Sequence, residues 1–264
     1  MAHYIPLQKE LHLKSGYKRA KSFLFAQEDS FAPVLLEELS HITQNLPLGF
    51  VKDKNGNFIL VVLLSLVQGK NMLVHPSGKW FSGYIPSHYR AYPFALLRDE
   101  KTQNLLVSID QESNLLEENK DLAEEYFFNE EGELSEFMQK VMEFLKARLD
   151  SSVKTQKAVQ TIAQAEIITP WEITLQSAEG EKQKIEGFYK IDETKLNTLD
   201  AQAFLKLRSV LPLIYTIILS ESRLQNLSKL IDLHKKIEEK STPKKVEDDF
   251  DLDKFFAEQD SLSF

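Results

Sequence analysis

An apolar run at residues 58–67, ten residues without a charge held between two turn sequences, sets the tightest limit on how this chain can fold. Asp53-Lys54-Asn55-Gly56-Asn57 precedes it and Gln68-Gly69-Lys70-Asn71 comes after it. Asn-Gly readily supplies the positive φ of a tight turn. Ten residues are about half of what a bilayer-spanning helix needs. The length and the Val, Leu and Ile content instead favour a buried strand. The chain must therefore build a sheet around this segment.

The neighbouring segments supply partners for it. Phe50-Val51-Lys52 leads into the first turn, and Met72-Leu73-Val74 reads as a short strand after the second. Pro76-Ser77-Gly78 turns again before Lys79-Trp80, and residues 95–98 and 105–109 form a further hairpin around a loop at 99–104. An antiparallel meander is the economical arrangement. Upstream, Val34, Leu35, Leu39 and Ile42 fall on one face of a helix over 32–46, stopped by Pro47 and Gly49.

The second half is mainly helical. Leu134, Phe137, Met138, Val141 and Leu145 keep helical spacing, and a second helix over 153–167 ends at Thr169-Pro170. Alternation at Trp171, Ile173 and Leu175, a turn at Glu179-Gly180 and a return over 185–191 predict a second hairpin. Ala203, Phe204, Leu207, Val210, Leu211, Ile214, Tyr215 and Ile218 predict a buried helix kinked at Pro212. Ser220 or Ser222 then caps a helix carrying Leu224, Leu227, Ile231 and His234. The expected class is α+β, with an antiparallel sheet in the N-terminal half and helices with a second hairpin in the C-terminal half.

A hydrophobic fraction of 42% with 27% charged residues predicts a real core. The net charge of −8 argues against a nucleic-acid surface, where basic side chains supply most of the affinity. The short basic run Lys14, Lys18, Arg19 and Lys21 reads as a solvated loop. The absence of cysteine removes disulfides, thiolate metal sites and cysteine nucleophiles, and fits a reducing, cytoplasmic setting. Residues 1–14 lack the apolar core of a signal peptide. The apolar run 210–219 is again too short for a bilayer, so no membrane insertion is expected.

Two acidic stretches stand apart. Residues 111–133 hold nine carboxylates against Lys120 alone, without the register of a calcium loop, and read as a solvated connector and a candidate sub-boundary. The expected organisation is one α+β domain over 1–240 followed by an acidic, aromatic tail over 241–264. That tail has seven carboxylates and three lysines, and too few apolar residues for a core, so disorder in isolation is expected. Phe250, Leu252, Phe255, Phe256 and Phe264, set among acids, also make it a candidate docking segment. Its ending, Asp260-Ser261-Leu262-Ser263-Phe264, is similar to the C-terminal signals of some one-step secretion substrates.

Residues 75–94 contain six aromatics and two histidines. Trp80, Tyr84, His88, Arg90 and Tyr92 are the candidate binding residues: aromatics with polar tips bury area while offering hydrogen bonds, and Arg90 suits a carboxylate or phosphate. Against this, Trp80, Tyr84, Tyr89 and Phe94 also read as core residues of a short helix on the sheet. His75 and His88 have no histidine at ligand spacing, Ser82 is not framed as a nucleophile elbow, and the nine glycines form no phosphate loop. No metal, cofactor or catalytic residue is therefore assigned.

Several stretches together resemble the SapC family. They are residues 47–53, the run 61–66, Asn71-Met72-Leu73-Val74 with Gly78-Lys79-Trp80, then Tyr84-Ile85-Pro86, Arg90 and Tyr92-Pro93-Phe94-Ala95-Leu96. Residues 134–145, 187–192 and 211–220 continue the pattern, while 111–133 and the tail stand outside it. The resemblance implies a bacterial protein associated with S-layer or surface-protein export and carries over no catalytic residue. On this basis a non-enzymatic cytoplasmic adaptor with a protein partner is expected. The alternative is an enzyme or small-ligand-binding protein whose pocket is lined by the five candidates at 80–92.

Overall fold

A computed structural model describes residues 3–81, 83–99, 103–176 and 182–240. Its strands are β1 Tyr4–Pro6, β2 Gly16–Tyr17, β3 Phe31–Pro33, β4 Leu48–Lys52, β5 Phe58–Leu63, β6 Phe94–Arg98, β7 Leu105–Asp110, β8 Leu116–Glu117, β9 Glu125–Tyr126, β10 Ile168–Pro170, β11 Ile173–Gln176, β12 Lys182–Ile185 and β13 Tyr189–Ile191. The helices are α1 Lys9–His12, α2 Leu39–Ile42, α3 Ser87–Arg90, α4 Glu136–Ala163, α5 Glu193–Asn197, α6 Ala201–Lys206, α7 Leu211–Ser220 and α8 Leu224–Lys240. Helices and antiparallel sheets together make the chain α+β. It divides into two compact units: the chain up to Lys21 with Ser87–Ser152, and Ser22–Pro86 with the chain from Val153 on.

The first unit holds two three-stranded sheets, β1-β7-β6 and β8-β2-β9. The β6–β7 hairpin pairs Phe94 with Ile109 through to Arg98 with Leu105, as its apolar alternation predicts. Phe94 meets Tyr17 edge-on at 5.1 Å between ring centres, and Val107, Ile109, Phe127, Met138 and Leu145 complete the core. Residues 111–133 run inside this unit, where β8 and β9 flank β2, and most of their carboxylates are exposed. The basic run pairs with the same acidic stretch, Lys18 with Glu117, Arg19 with Glu125 and Lys21 with Glu124. Each run read alone looks like solvated charge, and these pairs tie the two together. Gly16 is required at this crossing, because a Cβ there would lie 2.4 Å from both Ala123 Cβ and the Glu125 carbonyl oxygen.

The second unit is built on a five-stranded antiparallel sheet, β10-β13-β4-β5-β3. β4 and β5 form the expected hairpin, with Leu48, Phe50 and residues 60–63 fully buried. The Asp53 carboxylate accepts the Asn55 and Asn57 amides, both at 2.8 Å, and Gly56 takes φ +82°. α7 packs on β13 and β4, and Ser220 Oγ accepts the Leu48 amide at 2.9 Å. In α4, Gln156 donates to the Phe58 carbonyl, while Val159 and Ile162 are buried. α8 buries Leu227, Leu230 and Leu233. The two edge strands, β3 and β10, end in Pro33 and Pro170, which cannot donate to an added strand.

Several expected boundaries moved. The helix expected over 32–46 is β3, a single 3-10 turn and the four residues of α2, because Ala32 pairs with Val62 in the sheet. The two helices expected over 134–145 and 153–167 are one, since residues 146–152 contain neither Gly nor Pro to end it. The helix expected to kink at Pro212 is two helices. Pro212 sits in the first turn of α7, where its missing N–H costs nothing, and Asp200 caps α6 through the Gln202 and Ala203 amides. Ser220 makes no side-chain cap to the 3-10 turn that begins at Glu221. The return of the second hairpin breaks at Gly187, φ +92°, so that β12 pairs with β11 while β13 crosses to β10 and β4. Met72-Leu73-Val74 forms a turn closed by a single bridge from Val74 to Trp80.

Candidate functional site

The five candidate residues fall in both units. Trp80 and Tyr84 belong to the second, His88, Arg90 and Tyr92 to the first. In the second unit, a tight loop closes where Gly78 N–H donates to the His75 carbonyl at 2.7 Å and His75 N–H to the Lys79 carbonyl at 2.9 Å. This places Trp80 against Phe23, with ring centres 5.5 Å apart, and lets its indole N–H donate to the Tyr84 carbonyl at 3.1 Å. The Tyr84 hydroxyl donates to Glu38 Oε1 at 2.9 Å, and Glu38 Oε2 accepts the Leu35 amide at 3.0 Å. His41 stacks on the Tyr84 ring at 4.9 Å. The polar tips of Trp80 and Tyr84 are thus engaged within their own unit, and the buried Glu38 anchors the Tyr84 hydroxyl.

In the first unit, α3 presents His88 and Arg90 to solvent while Tyr89 is buried. Arg148 donates from Nη2 towards His88 Nδ1 at 3.3 Å, which requires that nitrogen to be an acceptor. The Arg90 guanidinium lies over the Phe144 ring at 5.5 Å. Burial pushes the Tyr92 phenol up to about 12, aided by the charge of Asp110 and by Tyr4, and opposed by a hydrogen bond with Ser113. Burial also raises Tyr4, again with Asp110 in support and with Arg148 opposing. Asp110 accepts the His3 amide at 2.9 Å and the Glu112 amide at 3.2 Å. Both phenols therefore stay protonated near neutrality.

None of the five candidates lines either of two cavities bordered by described residues of the second unit. The smaller, about 390 Å³, is bordered by Lys70, Asn71, His75 and His234 among others. There His234 Nε2 donates to the Met72 carbonyl at 2.8 Å, and His75 Nδ1 accepts the Ser77 amide at 3.0 Å. The larger, about 570 Å³, is a cleft bordered by Phe31, Lys52, Lys184, Glu186, Phe188 and Tyr189, together with Ser30 and residues 65–68. Lys52 holds its ammonium 5.0 Å from the ring centres of both Phe58 and Tyr189, and Phe31 meets Phe188 edge-on at 5.8 Å. Sequence reasoning assigned no role to this cleft. Its residues come from strands far apart in the chain, joined by the Phe50–Tyr189 pair between β4 and β13. The one signal in the sequence was that residues 47–53 and 187–192, two stretches carrying the family resemblance, both border it.

Among the described residues no three or more His, Asp or Glu side chains converge as a metal site, and no helix is long and apolar enough to cross a membrane. The tail candidates Phe250, Leu252, Phe255, Phe256 and Phe264 lie outside the described residues.

No curated protein and no solved structure matches the chain. The family model described as SapC matches residues 7–227, across the acidic stretch 111–133 and through both units, stopping short of the tail. The chain belongs to the SapC family.

Proposed function

We propose that this SapC-family chain is a non-enzymatic cytoplasmic accessory or adaptor protein, serving export or assembly of bacterial surface proteins of the S-layer type through protein–protein contact. The observation that carries the contact is the outer face of α7. This helix is ten residues long without a charge, and it buries Leu213, Ile214 and Ile217 against the sheet. Its other face leaves Tyr215 45% and Leu219 74% exposed, with Pro212 beside them in helical register. Leu205 of the preceding α6 is 59% exposed as well. Exposed apolar side chains in such a stripe mark interaction surfaces. The link to surface proteins comes from the family resemblance. The test is a pull-down with tagged full-length chain from its own bacterium, read by mass spectrometry for exported surface proteins. Their enrichment, lost in a Leu219→Glu variant, is the expected result. Absence of any surface protein, or retention of the same set by the variant, counts against the reading.

A further inference from the structure

The larger cleft of the second unit carries a separate inference, independent of the adaptor reading. Lys52 ends β4, while residues 65–68 lie beyond the far end of β5, and both border the cleft. Its border therefore takes in one end of the β4–β5 ladder and residues beyond the other, and the five paired residues of that ladder span about 13 Å at roughly 3.3 Å per residue. That length suits an extended chain better than a compact small molecule.

Its chemistry is equally specific. Lys52 and Lys184 supply two ammonium groups, and neither pairs with a carboxylate among the described residues. The two rings flanking Lys52 position its ammonium without neutralising it. Glu186 is the single acid of the lining. Phe31, 39% exposed, with Phe188 and Tyr189, adds an aromatic wall. The smaller cavity, by contrast, has both Glu28 and Lys70 on its border, and Lys18, Arg19 and Lys21 after β2 are matched by Glu117, Glu125 and Glu124. A groove whose two lysines meet no carboxylate among the described residues, with the exposed Phe31 ring at its border, fits an acidic peptide bearing aromatic residues.

The chain itself ends in such a peptide. Asp248-Asp249-Phe250-Asp251-Leu252-Asp253-Lys254-Phe255-Phe256 sets carboxylates and large apolar side chains side by side. It begins eight residues after α8 ends at Lys240, so Phe250 can reach up to about 33 Å from that point. A tethered segment also acts at an effective concentration on the order of millimolar, so weak contacts suffice. We propose that the C-terminal segment 248–256 docks in the cleft of its own chain, its carboxylates on Lys52 and Lys184 and its aromatics against Phe31, Phe188 and Tyr189.

The absence of cysteine makes the test direct. A full-length Glu258→Cys variant is labelled with a nitroxide, and paramagnetic broadening of backbone amides is measured. The expected result is selective loss of intensity at Lys52, Gly187 and Tyr189, restored to the unlabelled level by Lys52→Glu with Lys184→Glu. Replacing Asp248, Asp249, Asp251 and Asp253 with Lys, which leaves the folded units untouched, must restore intensity in the same way. No broadening at the cleft, or broadening indifferent to both charge reversals, overturns the proposal. Broadening at the same residues in isotope-labelled chain without nitroxide, once it is mixed with nitroxide-labelled chain, assigns the segment to a second copy and overturns docking within one chain.

Discussion

The residues after strand β2 and the cleft beside β4 both carry basic side chains, and they differ in what those charges meet. On β2 and the residues after it, Lys18, Arg19 and Lys21 face the carboxylates of residues 117–125 within the same unit. Along the cleft, Lys52 and Lys184 have no such partner among the described residues, and rings flank Lys52 instead. The formal charge of a segment therefore says little about its role. A positive side chain whose counter-charge is built into the fold holds local structure, whereas one left against aromatic surface is available to an anion. Three perturbations of decreasing severity test that distinction.

The most severe concerns the ladder beneath the cleft. Phe50 is fully buried, pairs with Leu60 on β5 and with Tyr189 on β13, and so joins both walls. Phe50→Ala should cost about 3–5 kcal/mol, from lost burial plus the cavity left behind. The midpoint of urea unfolding, read at unchanged slope, gives the value. A loss below about 1 kcal/mol would mean that the walls are held by something other than this ladder.

That ladder was legible in the sequence because its signals are local: an apolar run rich in Val, Leu and Ile, an Asn-Gly turn, and a length too short for a bilayer span. The β6–β7 hairpin was legible for the same reason. The pairing of residues 14–21 with 111–133 was not, because each side is polar and the two lie far apart in the chain. Tertiary pairing likewise turned residues 31–33 into strand although Val34, Leu35, Leu39 and Ile42 keep helical spacing. For the site, composition drew attention to residues 75–94, yet Trp80 and Tyr84 spend their polar atoms on neighbours in one unit while His88, Arg90 and Tyr92 stand in the other. The cleft was invisible because its lysines and rings gather from β4, β12, β13 and the start of β3, and no short motif records that meeting.

The second perturbation is on the β2 side. Gly16→Ala places a methyl group 2.4 Å from Ala123 Cβ and from the Glu125 carbonyl oxygen, so strand β9 must move. Overpacking of this kind costs about 1–3 kcal/mol. It should also release the ion pairs, since β2 and β9 are in register at Gly16–Tyr126 and Tyr17–Glu125. Thermal unfolding gives the cost, and the salt dependence of the variant should be flatter than that of the parent. Equal salt dependence would show that the pairs form without the strand pairing.

The mildest is the acid titration of those pairs, and its sign comes from Glu117. Its hydrogen bond from Lys18, with the Asn119 amide in support, holds the Glu117 carboxyl below its ordinary value of 4.5. A carboxyl depressed in the folded state binds its proton more readily when unfolded. The stabilisation is therefore present above about pH 4.5 and is lost as the pH falls through the lower folded value. Because the pair is exposed, the step should be too small for bulk unfolding to resolve and should appear locally, in hydrogen-exchange protection of the Tyr17 amide. Glu117→Gln keeps the shape of the side chain and removes the titration, so protection relative to this variant isolates the pair from general acid effects. A parent and variant that lose protection in parallel would place Lys18 in the same class as the cleft lysines, no more committed to the fold than Lys52.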